Sequence, residues 1–230
     1  MEIFFLSSDP QKNAEFMCDV HLWETLVEAL RILCTNYRII MTEDIHQEYA
    51  EMNHFYPIEE AYTSISIWTR KSYHHYLWLC MFVKALFNEL IHRKLQMRWL
   101  SEQTIFLAIM EHINYINCKL PKTSIFFPKH VIPEVFLIPY NVFTNCQYWY
   151  TKFEFFGKSW TNRETPYWFE IILNIQNGKI PRSRLKRDDH IIIQSYDTKR
   201  QRTERIYDGL RRCRYICGSS EACSHPMQSQ

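Results

Sequence analysis

His21, Glu24, Glu28, Arg31 and Thr35 recur at 0, 3, 7, 10 and 14, a spacing that lines them up along one face of a helix. Those side chains can supply a proton donor, a general base and an anion clamp within about three turns. Glu24 and Glu28 are one turn apart, so mutual repulsion would favour the protonated form of one of them. The solvent face of an amphipathic helix reads the same way. The stripe is narrow for such a face, because both flanks are apolar: Leu22, Leu26, Ala29 and Leu33 on one side, Trp23, Val27, Leu30 and Cys34 on the other. A mostly buried helix with one polar groove is the alternative. As metal ligands, His21, Glu24 and Glu28 fall short of the paired Glu-x-x-His motifs of di-metal bundles. No metal and no other cofactor is expected.

Two further stretches carry chemistry. From Tyr148 to Phe169, aromatic residues interleave with Lys152, Lys158, Asn162 and Arg163. Rings beside cations suit stacking on unpaired bases with phosphates nearby, and they equally suit a segment that caps the core. Arg182-Ser183-Arg184-Leu185-Lys186-Arg187 and Lys199-Arg200-Gln201-Arg202 are basic clusters that fit nucleic-acid binding, a nuclear-import signal or a solvated arm. Cys213, Cys217, Cys223 and His225 resemble a zinc cluster, but their spacing matches no common finger.

The elements that would position these residues are helical. Asp9-Pro10 reads as an N-cap followed by Pro at the first helical position, opening a helix to about Arg38. A second long helix is expected over 64–95 and a third over 101–117, the latter opening with Ser101-Glu102-Gln103-Thr104 as a capping signal. Residues 1–6 read as extended, and 41–62 as a polar loop or broken helix. Pro121, Pro128, Pro133 and Pro139 mark an irregular connection over 118–141, too apolar for a solvated linker. No strand alternation persists, so the expectation is an all-α, compact helical domain with a Pro-rich connection and a basic C-terminal extension.

Composition agrees. The 230 residues are 47% hydrophobic and 16% aromatic, enough for a packed core, while only 4 glycines argue against a Gly-rich phosphate loop or a dinucleotide-binding sheet. No apolar run approaches the ~18 residues of a membrane span. The N-terminal residues do not read as a signal peptide, and eight scattered cysteines suit a reducing setting, so an intracellular protein (cytoplasm or nucleus) is expected. The net charge of +2 hides an asymmetry. Residues 177–215 hold 12 Lys/Arg against 5 Asp/Glu, and residues 1–176 hold 15 against 19. The chain is therefore divided into a body, 1–176, and a basic, Cys-containing extension, 177–230.

Asp9-Pro10, Cys18-Asp19-x-His21, Glu28 and Leu33-Cys34-Thr35-x-x-Arg38 together resemble the opening of the pyrimidine-dimer DNA glycosylases, the phage endonuclease V type and its longer relatives. Ile67-Trp68-x-Arg70-x-Ser72 with Tyr76-x-Trp78-Leu79 is similar to that family's second helix. Tyr148-x-Tyr150 and Lys158-x-Trp160-Thr161-x-Arg163-x-x-Pro166-x-Trp168-Phe169 resemble its aromatic C-terminal segment. The resemblance covers about residues 1–170. It implies an all-α enzyme that flips a nucleotide from damaged duplex DNA and attacks the sugar at C1′ with an N-terminal amine, here that of Met1. Glu28 falls on the catalytic glutamate. His21 and Arg31 fall beside the DNA, and Arg70, Lys158, Trp160, Arg163 and Trp168 are the further candidate contacts.

The chain also departs from the family. Glu2 follows Met1 where the phage type has a small residue, Val20 and Glu24 stand where lysines are usual, Val27 replaces an arginine, and Thr63-Ser64 replaces a His-Pro pair. Three readings follow: a glycosylase/AP lyase acting on pyrimidine-dimer or abasic DNA; a non-catalytic descendant that binds nucleic acid or serves in an assembly, its basic tail contacting nucleic acid or a protein; and an unrelated helical interaction protein.

Overall fold

The computed structural model describes residues 3–41, 55–59, 61–95, 100–128, 142–152, 158–177 and 179. Among them are eight helices and no strand: α1 (Pro10–Phe16), α2 (Asp19–Met41), α3 (Ser64–Arg70), α4 (Tyr73–His92), α5 (Leu100–Glu111), α6 (Ile113–Lys119), α7 (Val142–Lys152) and α8 (Tyr167–Gln176). The described residues are all-α, as expected. Among the described residues no helix is long and apolar enough to cross a membrane.

α2 and α4 form the centre, with α1 laid on α4, α3 bridging the two, α5 against α2, and α7 paired with α8. The chain's first described residues run into this core. Ile3, Phe5 and Leu6 are fully buried, and the Phe5 ring meets Trp68, Trp78 and Phe127 at 5.2–5.3 Å. Non-helical backbone in a core needs partners for its peptide groups. Asn13 of α1 provides them: its side-chain oxygen accepts the Leu6 and Ser7 N–H groups, and its amide donates to the Phe4 carbonyl. Gln147 of α7 donates to the Leu6 carbonyl at 2.9 Å.

α1 starts as its sequence dictates, with Asp9 accepting the Gln11 and Lys12 N–H groups and Pro10 in the first turn. The three long helices expected over 10–38, 64–95 and 101–117 are each divided. The first breaks at Met17 and Cys18. The Cys18 N–H donates to the Tyr150 hydroxyl and the Asp19 N–H to the Ser159 carbonyl, both at 2.9 Å, so partners distant in sequence take the donors that a continuous helix would need. The second breaks at Ser72, whose extended backbone caps α4 and whose hydroxyl accepts the His74 N–H. The third breaks at His112. Ser101 does not form the expected cap, because α5 begins at Leu100 and the Ser101 hydroxyl donates to its neighbour Glu102.

Residues 121–128 are irregular and bonded to α3 and α4 through Ser72, His75 and Trp68. Residues 121–124 and Phe126 are nevertheless exposed, so this part of the connection, expected to be too apolar for solvent, largely faces it. The remainder of that connection, most of the polar stretch 41–62, and the extension with its basic clusters and Cys213–His225 group lie outside the described residues.

Candidate functional site

α2 buries most of its surface, including His21, Glu28 and Thr35, while Glu24 and Arg31 are exposed. The fold thus splits the polar stripe between interior and solvent. This matches the mostly buried helix rather than a single solvated face. His21 is wholly inside. Its Nδ1 lies 2.7 Å from the Tyr150 hydroxyl, and the Phe4 ring stacks parallel to it at 6.3 Å. Burial, with the nearby Lys158 cation adding to it, pulls the imidazole down to about 4, so it is neutral near pH 7. The Tyr150 hydroxyl accepts the Cys18 N–H and lies 3.3 Å from Cys18 Sγ. Burial and the adjacent thiol push its ionisation well above the usual value. Its proton therefore stays in place, to be given to the imidazole or to the sulfur.

Glu28 lies two turns beyond His21 and is only 9% exposed. Arg31 follows three residues later at the surface, its guanidinium 4.0 Å from Glu59 and 5.4 Å over the Tyr56 ring. Thr35 exchanges hydrogen bonds with the Glu59 peptide, donating to its carbonyl at 3.0 Å and accepting its N–H at 3.2 Å. The stretch 55–59 therefore lines the C-terminal half of α2 beside Arg31. Met1 lies outside the described residues.

A second polar centre joins the start of α2, the end of α4 and the 158–163 connection. Arg93, whose side chain is fully buried, donates Nε to Glu89 Oε1 and Nη1 to Asp19 Oδ1, each at 2.8 Å, and Nη2 to the Glu15 carbonyl at 3.0 Å. Arg163 grips both Glu89 oxygens at 2.8 Å. Asp19 also accepts the Ser159 hydroxyl, the Thr161 hydroxyl and the Thr161 N–H. Burial works to raise both carboxyls, and these donors more than reverse it, so Glu89 and Asp19 are held below their ordinary values. Glu89-x-x-x-Arg93 was visible in the sequence as an i,i+4 pair. Its convergence with Asp19 and Arg163 was not, because those partners are more than 70 residues away.

The other candidate DNA contacts are also engaged within the fold. Lys158 donates to the Tyr150 and Thr151 carbonyls at 3.1 and 3.0 Å, closing the end of α7, with Phe169's ring 5.2 Å away. Burial lowers its ammonium below the usual lysine value. The Trp160 indole donates to the Phe16 carbonyl at 3.1 Å. Trp168 is fully buried between Phe16 and Tyr150. Arg70 donates to Asn36 Oδ1 at 3.2 Å and to the Ala61 carbonyl. Of the candidate residues, the structure gathers His21 and Lys158 around Tyr150 and ties Arg163 to Glu89, while Glu28 and Arg31 sit further along α2.

Among the described residues no group of three or more His, Cys, Asp or Glu side chains is placed to hold a metal ion. Comparison with known protein families, with curated proteins and with solved structures finds no match for the chain.

Proposed function

We propose that the protein is a DNA glycosylase/AP lyase acting on pyrimidine-dimer or abasic DNA, with Glu28 as the acid/base and the α-amine of Met1 as nucleophile. The observation that carries this reading is a nearly buried carboxylate on a helix packed against the chain's first residues. Phe4 stacks on His21, and α2 rises about 10 Å from His21 to Glu28 at 1.5 Å per residue. Three residues precede Phe4, and three extended residues span about 10 Å. The reading requires the amine to reach the Glu28 carboxylate.

The chemistry suits an amine whose ordinary pKa of about 8 leaves a useful neutral fraction near pH 7. At an intact damaged nucleoside, the nitrogen forms a bond to C1′ while the bond from C1′ to the base breaks, its electron pair leaving with the base. At an abasic site the nitrogen adds to the C1′ aldehyde and water is lost. Glu28 protonates the opening sugar and afterwards removes the C2′ proton, whereupon the 3′ C–O bond breaks and phosphate leaves. Water then hydrolyses the imine and returns the amine. Flipping the nucleotide costs a few kcal/mol, least at a damaged or unpaired base.

One observation favours a second reading, a non-catalytic descendant in which the candidate DNA contacts serve the fold and nucleic acid is left to other residues. Arg70, Lys158 and Arg163 are held by internal partners, and Trp160 and Trp168 are buried. Borohydride trapping on duplex DNA with an abasic site, and separately on UV-irradiated duplex, separates the two. A covalent adduct lost on N-terminal acetylation and in Glu28→Gln supports the lyase. Salt-sensitive binding without an adduct, unchanged in Glu28→Gln, refutes it and supports the second reading.

A further inference from the structure

Lys71 and Lys122 come together where residues 121–127 cross the start of α4. Ser72 Oγ accepts the Thr123 N–H and donates to the Thr123 carbonyl, both at 3.2 Å, so the two lysines flank a bonded pair. His74 joins them, its Nδ1 2.7 Å from the Thr123 carbonyl oxygen. Beside them Phe126 is 50% exposed, with Lys71 Nζ 6.0 Å from its ring centroid.

The Phe126 ring is presented rigidly. Its own N–H donates to His75 Nε2 at 3.3 Å, the Trp68 indole donates to its carbonyl, and the His75 ring meets it edge-on at 4.5 Å. Both lysines are exposed, and neither is paired with a carboxylate among the described residues. The two stretches that build this surface, 61–88 and 112–128, contain no Asp or Glu, although residues 1–176 carry 19 acidic against 15 basic residues. Two carboxylate-free stretches brought together in an acidic body gather there part of the positive charge the body has.

We propose that this surface binds an unpaired stretch of nucleic acid, with Lys71 and Lys122 on backbone phosphates and Phe126 under a base. Cations that track phosphates around an aromatic stacking platform are the requirement for single-strand binding. A duplex would use the lysines and leave the ring idle, since its bases are already stacked. An acidic peptide would likewise have no use for the ring. The inference rests on the nucleic-acid reading above for the class of partner and does not involve Glu28.

Fluorescence anisotropy of a labelled oligothymidylate, titrated with the full chain across a range of salt, tests it. The chain carries Arg182→Gln, Arg184→Gln, Lys186→Gln and Arg187→Gln throughout, to lower binding by the extension. Lys71→Gln with Lys122→Gln is expected to flatten the log K against log salt slope by about 1.4, at about 0.7 per phosphate contact, and to weaken low-salt binding at least about tenfold. Phe126→Ala is expected to weaken binding about fivefold or more with the slope unchanged. Phe126→Leu keeps the apolar packing without the π face and should lose as much, which separates stacking from folding. The proposal is overturned if the lysine variant keeps the parental slope and affinity, or if both Phe126 variants bind normally. It is equally overturned if duplex, or polyglutamate of matched charge, binds as tightly as the oligothymidylate. Because the oligonucleotide is undamaged, failure here leaves the borohydride result standing, and a failed trap leaves this binding measurable.

Discussion

Replacing Glu89 with Ala removes the acceptor on which Arg93 and Arg163 converge. Arg93 is fully buried and would lose its 2.8 Å bond to Glu89, keeping only Asp19 and the Glu15 carbonyl. Breaking a buried pair from one side costs about 3–5 kcal/mol because a charge is left behind in the interior. The lower end applies here, since Asp19 still faces Arg93 and Arg163, with 30% of its side chain exposed, can turn to water. The expectation is about 3 kcal/mol at pH 7, a fall in Tm of roughly 6–12 °C for a chain of this size. Arg163→Ala leaves Glu89 paired with Arg93 and should cost about 1–2 kcal/mol. The double variant should then fall short of the sum by about 1 kcal/mol.

Urea unfolding followed by tryptophan fluorescence and far-UV circular dichroism measures all three. Acid provides an independent check. Glu89 and Asp19 have folded values depressed below their ordinary 4.5 and 3.8. Their contribution is therefore complete above about pH 4.5 and is lost as the pH falls through the lower folded values. Glu89→Ala should flatten that part of the profile. A Glu89→Ala chain within about 0.5 kcal/mol of the parent, with an unchanged acid limb, would refute the account of this cluster as the tie between α4 and the 158–163 connection.

His21 affects stability in the opposite sense to a histidine paired with a carboxylate. Its folded value of about 4 lies below the ordinary 6.5, so the unfolded chain takes the proton first. Stability is complete above about pH 6.5 and falls towards pH 4 by on the order of 3 kcal/mol, and His21→Gln should remove that slope in pH-dependent urea unfolding. Tyr150→Phe takes away the oxygen shared by the Cys18 N–H and His21 Nδ1, and the same assay should show a loss of about 1–3 kcal/mol. Lys158→Met keeps the apolar stem near Phe169 but loses two bonds to the end of α7. It should cost about 1 kcal/mol by thermal unfolding. The salt dependence of DNA binding should stay unchanged, whereas a phosphate contact would flatten the slope by about 0.9.

What could be read from the sequence was local. The Asp9-Pro10 start of α1 needs only neighbouring residues, and the structure has it with Asp9 capping Gln11 and Lys12. The helical runs were visible for the same reason, since a 3.6-residue period is written into adjacent turns. The breaks within them were not visible at Cys18, where the donors of the α2 start are taken by Tyr150 and Ser159. Ser72 is more instructive. A serine lies within a helical stripe as readily as it caps one, and only the docking of Thr123 onto its hydroxyl marks it as a boundary. The polar stripe was legible as a pattern but not as a surface. Glu24 and Glu28 are four residues apart, yet packing leaves the first in solvent and the second buried.

The internal partners of Arg70, Lys158 and Arg163 bear on how DNA could be held at all. Duplex affinity comes largely from neutralising phosphates, and a body with 15 basic against 19 acidic residues cannot also spend three cations on its own carbonyls and carboxylates and keep a strong phosphate track. Among the exposed cations of the described surface, Lys71 and Lys122 border the exposed Phe126 ring, Lys84, Lys94, Lys119 and Lys179 lie elsewhere, and Arg31 faces Glu59. Few phosphate contacts mean a shallow salt dependence and weak undamaged-duplex binding. Recognition by such a body must draw on the base itself, through stacking and through the low cost of extruding a base that is already unpaired or damaged. Both proposals therefore point to the same substrate state, a strand whose bases are not all in the helix, and a protein that bound intact duplex tightly and steeply with salt through residues 3–177 would contradict them together.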